Sequence, residues 1–106
     1  MPLNEFRYNL SPSSAGHPDY VFGEKNGKYK SFGLTHTPKK EHKSSQLTKN
    51  PNPSDTYPSH LQHKVKTTQK KYLPNIEPNW SFAKEDLPLV RHLKKQYKKR
   101  QNKKRR

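Results

Sequence analysis

The sequence predicts an α+β fold, in which a small antiparallel sheet packs with a basic C-terminal helix and long irregular loops join the elements. Three observations predict it: two strand-like segments around Asn26-Gly27, an alternating segment over 61–67, and an apolar stripe at helical spacing after Asp86. The chain has 106 residues, of which 25% are hydrophobic, so we expect one domain with a small core. The expected organisation is an irregular N-terminal arm over 1–16, a single α+β domain over 17–100 and a disordered basic tail over 101–106.

A β-hairpin over residues 19–36 is the clearest local signal. Aromatic and β-branched residues flank Asn26-Gly27, the pair that best tolerates the positive φ angles of a type I′ turn. A two-residue loop also sets the register of the two strands. The facing pairs are then expected to be Glu24 with Tyr29, Phe22 with Ser31, Val21 with Phe32 and, at the open end, His17 with His36.

This register assigns the side chains to two faces of the hairpin. One face is expected to carry both histidines with Val21, Phe32 and Leu34. The other face is expected to carry Tyr20, Phe22 and Tyr29.

The other segments follow from local composition. Pro2, Pro12 and the small residues at 13–16 predict the irregular arm, and four prolines between 37 and 58 predict a long loop. A loop of this length in a short chain is typical of a disordered or functional segment, and we expect a binding loop that orders partly on a partner. The alternation over 61–67 favours a half-exposed strand that joins the sheet of the hairpin.

Near the C-terminus, Trp80 and Phe82 are expected to cover the core. A helix is expected to begin near Asp86, which can cap it, with Pro88 in the first turn. Its apolar stripe consists of Leu89, Val90, Leu93 and Tyr97.

The charge of the chain indicates a polyanionic partner. Lys and Arg number 23 against 8 Asp and Glu, giving a formal net charge of +15. Nucleic acid is favoured, because each phosphate that a cation neutralises releases condensed counterions. An anionic membrane surface is the rival, but the basic segments lack the apolar face of an interfacial helix; a charged surface with no specific partner is the remaining alternative. No apolar leader or membrane span is evident, so a cytoplasmic protein is expected.

The residues expected to contact nucleic acid lie on the hairpin, in the long loop and on the helix. Lysines beside exposed aromatic rings can hold a backbone while the rings stack on unpaired bases. The candidates are Lys28, Tyr29, Lys39, Lys40, Arg91, Lys94, Lys95, Lys98, Lys99 and Arg100. Burial in the core is the alternative for each ring, and a solvated helix face is the alternative for the helical cations.

Six histidines suggest acid/base chemistry on RNA. RNA is cut when a base removes the 2′-hydroxyl proton, an acid protonates the leaving 5′-oxygen and a cation stabilises the phosphorane, and histidine suits both proton transfers. The candidate catalytic residues are His17, His36, His60, Lys30 and Tyr57. Polar surface is the alternative for each histidine. No metal site and no cofactor is expected, since the chain has no cysteine and no nucleotide-binding motif.

Three segments, 16–22, 32–36 and 50–53, read like a motif set of small proteins from mobile elements. In size, charge and layout the chain resembles the small basic endoribonucleases of the barnase, EndoU, colicin and RelE group, which often act as toxins. The resemblance implies a metal-independent endoribonuclease, with an acidic antitoxin-like protein as a partner. No catalytic pattern of that group matches residue by residue. A non-catalytic RNA- or ribosome-binding protein and a DNA-binding accessory of a mobile element remain as alternatives.

Overall fold

Five antiparallel strands form one sheet, and an 18-residue helix packs against one face of it. The computed structural model describes residues 3–12, 14 and 16–104, with side chains described as far as Gln101. The elements are β1 (Glu5–Tyr8), β2 (Pro18–Lys25), β3 (Lys28–Thr35), β4 (Ser44–Gln46), β5 (His60–Gln69) and α1 (Leu87–Lys104). The order across the sheet is β1-β2-β3-β5-β4. The predicted α+β class is confirmed.

The turn of the predicted hairpin forms as expected. Asn26 and Gly27 have φ angles of 54° and 74°, and Lys25 pairs with Lys28 across the two-residue loop. Positive φ at both central positions is the requirement of a type I′ turn, which Asn-Gly meets at low cost. Glu24 pairs with Tyr29, as the sequence predicted.

Beyond that pair, the predicted register is wrong. The pairing shifts between Val21 and Gly23, so Val21 faces Ser31 and Tyr20 faces Phe32. Phe22 is the additional residue of a β-bulge, which re-aims the side chains that follow it. The shift also removes the predicted alignment of His17 with His36, since each residue that precedes Phe22 is displaced by one position.

The bulge has a packing reason. An unbroken register would put Tyr20 and Phe22 on one face and Phe32 with Leu34 on the other. With the bulge, all four side chains join one buried cluster beneath the helix, and the Phe22 and Phe32 rings stack with centroids 4.6 Å apart. Burial of the additional apolar area stabilises the fold by about 25 cal/mol per Å² removed from water. This free energy compensates for the interruption of the β-ladder at the bulge.

Both edge strands lie in segments that the sequence predicted to be irregular. β1 belongs to the expected N-terminal arm and pairs with β2, with Phe6 opposite Tyr20. β4 belongs to the expected loop over 37–58 and pairs with β5. Short edge strands carry weak local signals, because pairing partners distant in sequence determine them. The residues Met1, Pro2, Ser13 and Ala15 of the arm lie outside the described residues.

The predicted strand over 61–67 is confirmed as the central part of β5, which pairs with β3. The register between β3 and β5 shifts at Gly33: Phe32 lies opposite Val65, and Leu34 lies opposite Leu61. Leu61 therefore joins the core, and Gln62, Lys64 and Lys66 line the opposite face of the sheet.

The helix docks through the predicted stripe. Val90 and Leu93 are buried in the core cluster, and Leu89 and Tyr97 pack against it. Trp80 and Phe82 cover the cluster as expected, with Phe82 4.9 Å from the Phe6 ring and 4.7 Å from the Tyr20 ring. Edge-to-face contacts between aromatic rings stabilise the core beyond the free energy gained by burying their apolar area.

Two expectations for the helix need correction. The Asp86 carboxylate accepts hydrogen bonds from the backbone N–H groups of Thr48 (2.9 Å) and Lys49 (3.4 Å), so it anchors the long loop instead of capping the helix. The expected disordered tail is helical over 101–104. Arg105 and Arg106 lie outside the described residues.

Candidate active site and nucleic-acid interface

A cavity of about 260 Å³ lies between the open end of the β2–β3 hairpin and the loop that follows β4. We call it the histidine cavity, because His17 and His36 both line it. Its other principal lining residues are Tyr8, Thr35, Asn50, Asn52, Asp55 and Trp80. The structure thus brings the two predicted histidines to one cavity, although they are not paired across the strands.

His36 and Asp55 form the closest polar contact in this cavity. The imidazole Nε2 lies 2.7 Å from Asp55 Oδ2, and Asp55 Oδ1 accepts the backbone N–H of Tyr57 at 3.0 Å. The pKa of Asp55 is lowered, chiefly by the Tyr57 N–H and further by the hydrogen bond and charge of His36. A carboxylate only accepts hydrogen bonds, so Nε2 carries the proton and the Nδ1 lone pair is left to accept another.

The loop that carries Asp55 is braced by its own side chains. Asn50 Oδ1 accepts the N–H of Asn52, and Asn52 Oδ1 accepts the N–H of Ser54, each at 2.9 Å. Asn50 Nδ2 also donates to the Tyr57 carbonyl at 3.0 Å. Asn and Asp stabilise turns in this way, and the intervening prolines restrict the backbone. Asp55 is therefore presented by a preorganised loop.

His17 lies just before β2 at the boundary between two cavities. Its backbone N–H donates to Ser14 O, and its carbonyl accepts the N–H of Asn9, both at 2.9 Å. The exposed imidazole lines the histidine cavity on one side and a larger cavity on the other.

The larger cavity, about 630 Å³, lies on the face of β3 and β5 that is opposite α1, and we call it the basic groove. It shares His17, Leu34 and Thr35 with the histidine cavity, so the two adjoin one another. Its cationic and histidine side chains are His17, Lys39, His42, Lys43, Lys64 and Lys66. None of the described residues that line it is acidic.

A buried carboxylate lies beneath the groove. Asp19 is fully buried and accepts hydrogen bonds from Asn9 Nδ2 (2.8 Å), Ser31 Oγ (3.1 Å) and Lys66 Nζ (3.1 Å). A buried charge needs such partners, because an unpaired one is costly. Lys66 is consequently fixed at the floor of the groove.

Gly33 leaves room for the side chain of Lys66. A Cβ atom at Gly33 would meet Gln62 Oε1 and would lie 3.0 Å from Lys66 Nζ. The absence of a side chain on β3 lets both polar heads lie across the strand.

Other predicted catalytic residues lie elsewhere. Lys30 donates to Thr67 Oγ1 at 2.7 Å and lines neither cavity. His60 also lines neither, and its Nδ1 is buried with no hydrogen-bond partner among the described residues. Tyr57 is 69% exposed, with its ring 5.7 Å from that of His36.

The predicted nucleic-acid contacts separate into three groups. Lys39 lines the basic groove, and Lys28 and Lys40 are exposed outside it. Tyr29 lies beside two cations, with the Arg7 guanidinium 4.9 Å and the Lys70 ammonium 5.5 Å from its ring centroid, so these cations compete with a base for the ring. The exposed cations of the helix are Arg91, Lys95, Lys98, Lys99 and Arg100.

Lys94 differs from its neighbours on the helix. Its Nζ lies 5.2 Å from the Tyr20 ring centroid, and burial together with the charge of Lys98 lowers its pKa. It therefore covers the aromatic core, whereas the other helical cations face solvent.

Sequence reasoning missed Asp55, Asp19, His42, Lys43, Lys64 and Lys66 as site residues. The alternation in β5 contained a signal, since Lys64 and Lys66 share the polar face of that strand. The pairing of Asp55 with His36 and of Asp19 with Lys66 joins residues 19 and 47 positions apart, so no local pattern marks either pair.

The described residues lack two further features. They contain no group of three or more histidine, cysteine, aspartate or glutamate side chains arranged to hold a metal ion. Within the same residues, no helix is long and apolar enough to span a membrane. Comparison of the chain with protein-family models, curated proteins and solved structures finds no match.

Proposed function

We propose that this protein is a metal-independent endoribonuclease whose reaction takes place in the histidine cavity. The observation that carries the proposal is the His36–Asp55 pair, 2.7 Å between Nε2 and Oδ2, in a cavity that His17 also lines. The basic groove adjoining that cavity supports RNA as the substrate, because its cations suit a phosphate backbone.

In the proposed reaction, His36 is the general base. Its Nδ1 removes the proton of a ribose 2′-hydroxyl, and the 2′-oxygen forms a bond to the adjacent phosphorus. Asp55 holds the imidazole in the required tautomer and stabilises the imidazolium that forms, as carboxylates do beside catalytic histidines.

His17 is the general acid in this proposal. The bond between phosphorus and the 5′-oxygen breaks as the imidazolium of His17 gives its proton to that oxygen. The products are a 2′,3′-cyclic phosphate and a 5′-hydroxyl, and no cofactor is consumed. Tyr57 is exposed beside His36, where its ring can stack on a neighbouring base.

The test is cleavage of a defined RNA oligonucleotide in EDTA by the wild-type chain, His36→Ala and His92→Ala purified in parallel. His92 is an exposed histidine of the helix and serves as the matched control. We expect cyclic-phosphate products from the wild type and from His92→Ala, and a loss of about 100-fold or more in His36→Ala. A 2′-deoxy substitution at the cut site should stop cleavage. Equal cleavage by all three proteins would refute the assignment.

A non-catalytic RNA- or ribosome-binding protein is the second candidate, favoured by cations on both sides of the sheet. It predicts intact RNA and intact ribosomes in the same assay, with a shift on a native gel. Equal affinity for duplex DNA would instead support a DNA-binding accessory protein. If the chain acts as a toxin, an acidic antitoxin-like protein is the partner that would cover its basic surface.

A further inference from the structure

We infer that the basic groove binds a single strand of RNA and that Lys66, held by Asp19 and Ser14, forms a fixed phosphate subsite at its floor. The inference rests on the proposed function only for the statement that this strand is the substrate. Binding in the groove is argued and tested independently of cleavage.

The charge of the groove is the first argument. Lys39, Lys43, Lys64 and Lys66 converge on it, and no described lining residue is acidic. Asp19 neutralises part of this charge from below, but its carboxylate is completely buried and cannot reach a ligand in the groove. The groove therefore presents a positive surface to anything that enters it.

The hydrogen bonding of Lys66 is the second argument. Its ammonium contacts Asp19 Oδ1 at 3.1 Å and Ser14 Oγ at 3.4 Å, and its side chain is 29% exposed. An ammonium group has three donors, so one remains for a ligand. Because the side chain is already ordered, a phosphate oxygen that binds there costs less conformational entropy than one that binds a free surface lysine.

The shape of the groove distinguishes a single strand from a duplex. A volume of about 630 Å³ suits a short stretch of nucleotides. The polar head of Gln62 lies over Gly33 at its floor, where it can meet a base edge. In duplex RNA the Watson–Crick edges are paired and the Hoogsteen edges lie in a deep, narrow major groove, whereas unpaired bases expose both.

The proximity of the two cavities is the fourth argument. His17, Leu34 and Thr35 line both, so a strand in the groove lies next to the cavity that holds the His36–Asp55 pair. None of the described residues that line the groove is phenylalanine, tyrosine or tryptophan, so phosphate contacts should dominate and base preference should be weak.

The test measures binding of a fluorescent 2′-O-methyl oligonucleotide, which lacks the attacking hydroxyl, and of a hairpin duplex of the same chemistry. The variants are Lys66→Met and Gly33→Ala, with Lys25→Met as the control. Lys25 is an exposed lysine at the tip of the hairpin, outside the groove. Gly33→Ala removes no charge but displaces the heads of Gln62 and Lys66.

We expect Lys66→Met to weaken single-strand binding about fivefold to tenfold and to reduce the slope of log affinity against log salt by about 0.7. Gly33→Ala should weaken it in the same direction, and Lys25→Met should stay within about twofold of the wild type. Gly33→Ala keeps both charges of the Asp19–Lys66 pair, so it remains decisive if Lys66→Met fails to fold.

Two results would overturn the inference: Lys66→Met indistinguishable from Lys25→Met, or duplex binding as tight as single-strand binding and equally dependent on Lys66. The uncleavable strand separates this inference from the proposed function, because its binding is measured without cleavage. If binding depends on Lys66 but no RNA is cleaved, the proposed nuclease activity is refuted and the inference that the groove binds a single strand still stands.

Discussion

The Asp55 carboxylate receives two different donors, the imidazole of His36 and the backbone N–H of Tyr57. The backbone donor fixes the position of the carboxylate, and the carboxylate in turn fixes the tautomer of the imidazole. Its lowered pKa keeps it ionised throughout the pH range in which histidine titrates. The pair is therefore oriented before a substrate arrives.

Asp55→Asn should reduce cleavage about 100-fold to 10,000-fold with little change in affinity for an uncleavable strand. An asparagine that keeps its oxygen on the Tyr57 N–H turns its amide NH₂ toward His36 Nε2. The imidazole must then accept at Nε2 and carry its proton on Nδ1, where it cannot act as a base. Single-turnover cleavage and fluorescence anisotropy measure the two effects. Glu41→Gln, in the same long connection, is the control, and equal losses in both variants would contradict the role of Asp55.

His63 couples stability to pH. Its Nε2 lies 2.8 Å from Ser45 Oγ, and burial, followed by the charges of Lys43 and His92, lowers its pKa. The unfolded chain takes up the proton near pH 6.5, before the folded chain does. The contribution of His63 to the stability of the folded state is thus fully present above about pH 6.5. It is lost as the pH falls toward the lowered pKa of His63 in the folded chain.

Thermal unfolding midpoints measured between about pH 7.5 and about pH 5 test this coupling. The wild type should lose more stability on acidification than His63→Gln does. His42→Gln removes one exposed histidine instead and serves as the control. An unfolding midpoint of His63→Gln that falls as steeply as that of the wild type would show that His63 is not responsible.

At the level of elements, the long connection between β3 and β5 is tied to the start of the helix. Asp86 is 5% exposed, and both of its carboxylate oxygens accept the N–H of Thr48, at 2.9 and 3.0 Å. Leu47, beside this contact, is buried in the core cluster. This anchor precedes the loop that presents Asp55.

Asp86→Ala should lower the free energy of unfolding by about 2–3 kcal/mol, because two backbone donors lose a charged acceptor. Amide hydrogen exchange at Thr48 and Lys49 should accelerate. Glu85→Ala removes the exposed acidic neighbour and should change stability by less than about 0.5 kcal/mol. Unchanged exchange at both amides in Asp86→Ala would contradict the anchoring role.

The elements that the sequence predicted are those with local signals. Asn26-Gly27 determines its turn, and the stripe of Leu89, Val90, Leu93 and Tyr97 determines the buried face of the helix. β1, β4 and the bulge at Phe22 could not be predicted in this way, because they depend on pairing and burial across the whole sheet. The predicted pairing of His17 with His36 across the hairpin is wrong, and the structure instead places both side chains at the lining of one cavity.

The same distinction applies to the candidate site. Histidines stand out by residue type, whereas Asp55 and Asp19 gain their significance only from partners distant in sequence. In the sequence, Lys66 does not differ from any other exposed lysine of a half-buried strand. Only the three-dimensional structure places Asp19 and Gly33 beneath it.

Over the whole molecule, cations lie on both sides of the sheet, in the basic groove on one face and along the solvent side of the helix on the other. The two surfaces differ in their surroundings. The groove cations converge on a cavity, and the helical cations are dispersed along an exposed surface. In the proposed RNA complex, a single strand would occupy the groove while the helix contacts the phosphates of a folded RNA.

A formal net charge of +15 on a chain of this size should also make its stability depend on salt. Self-repulsion opposes compaction, and salt screens it over a Debye length of about 10 Å at 0.1 M. The thermal unfolding midpoint should therefore rise between about 0.02 M and about 0.2 M sodium chloride, while affinity for RNA falls over the same range.

Lys95→Gln combined with Lys99→Gln, both exposed on the helix, should raise the midpoint at low salt and reduce its dependence on salt. A midpoint that falls with added salt would mean that the three lysine and arginine ion pairs among the described residues outweigh the repulsion. Opposite responses of stability and RNA affinity to salt would instead identify repulsion between cations as the cost that a polyanionic partner relieves.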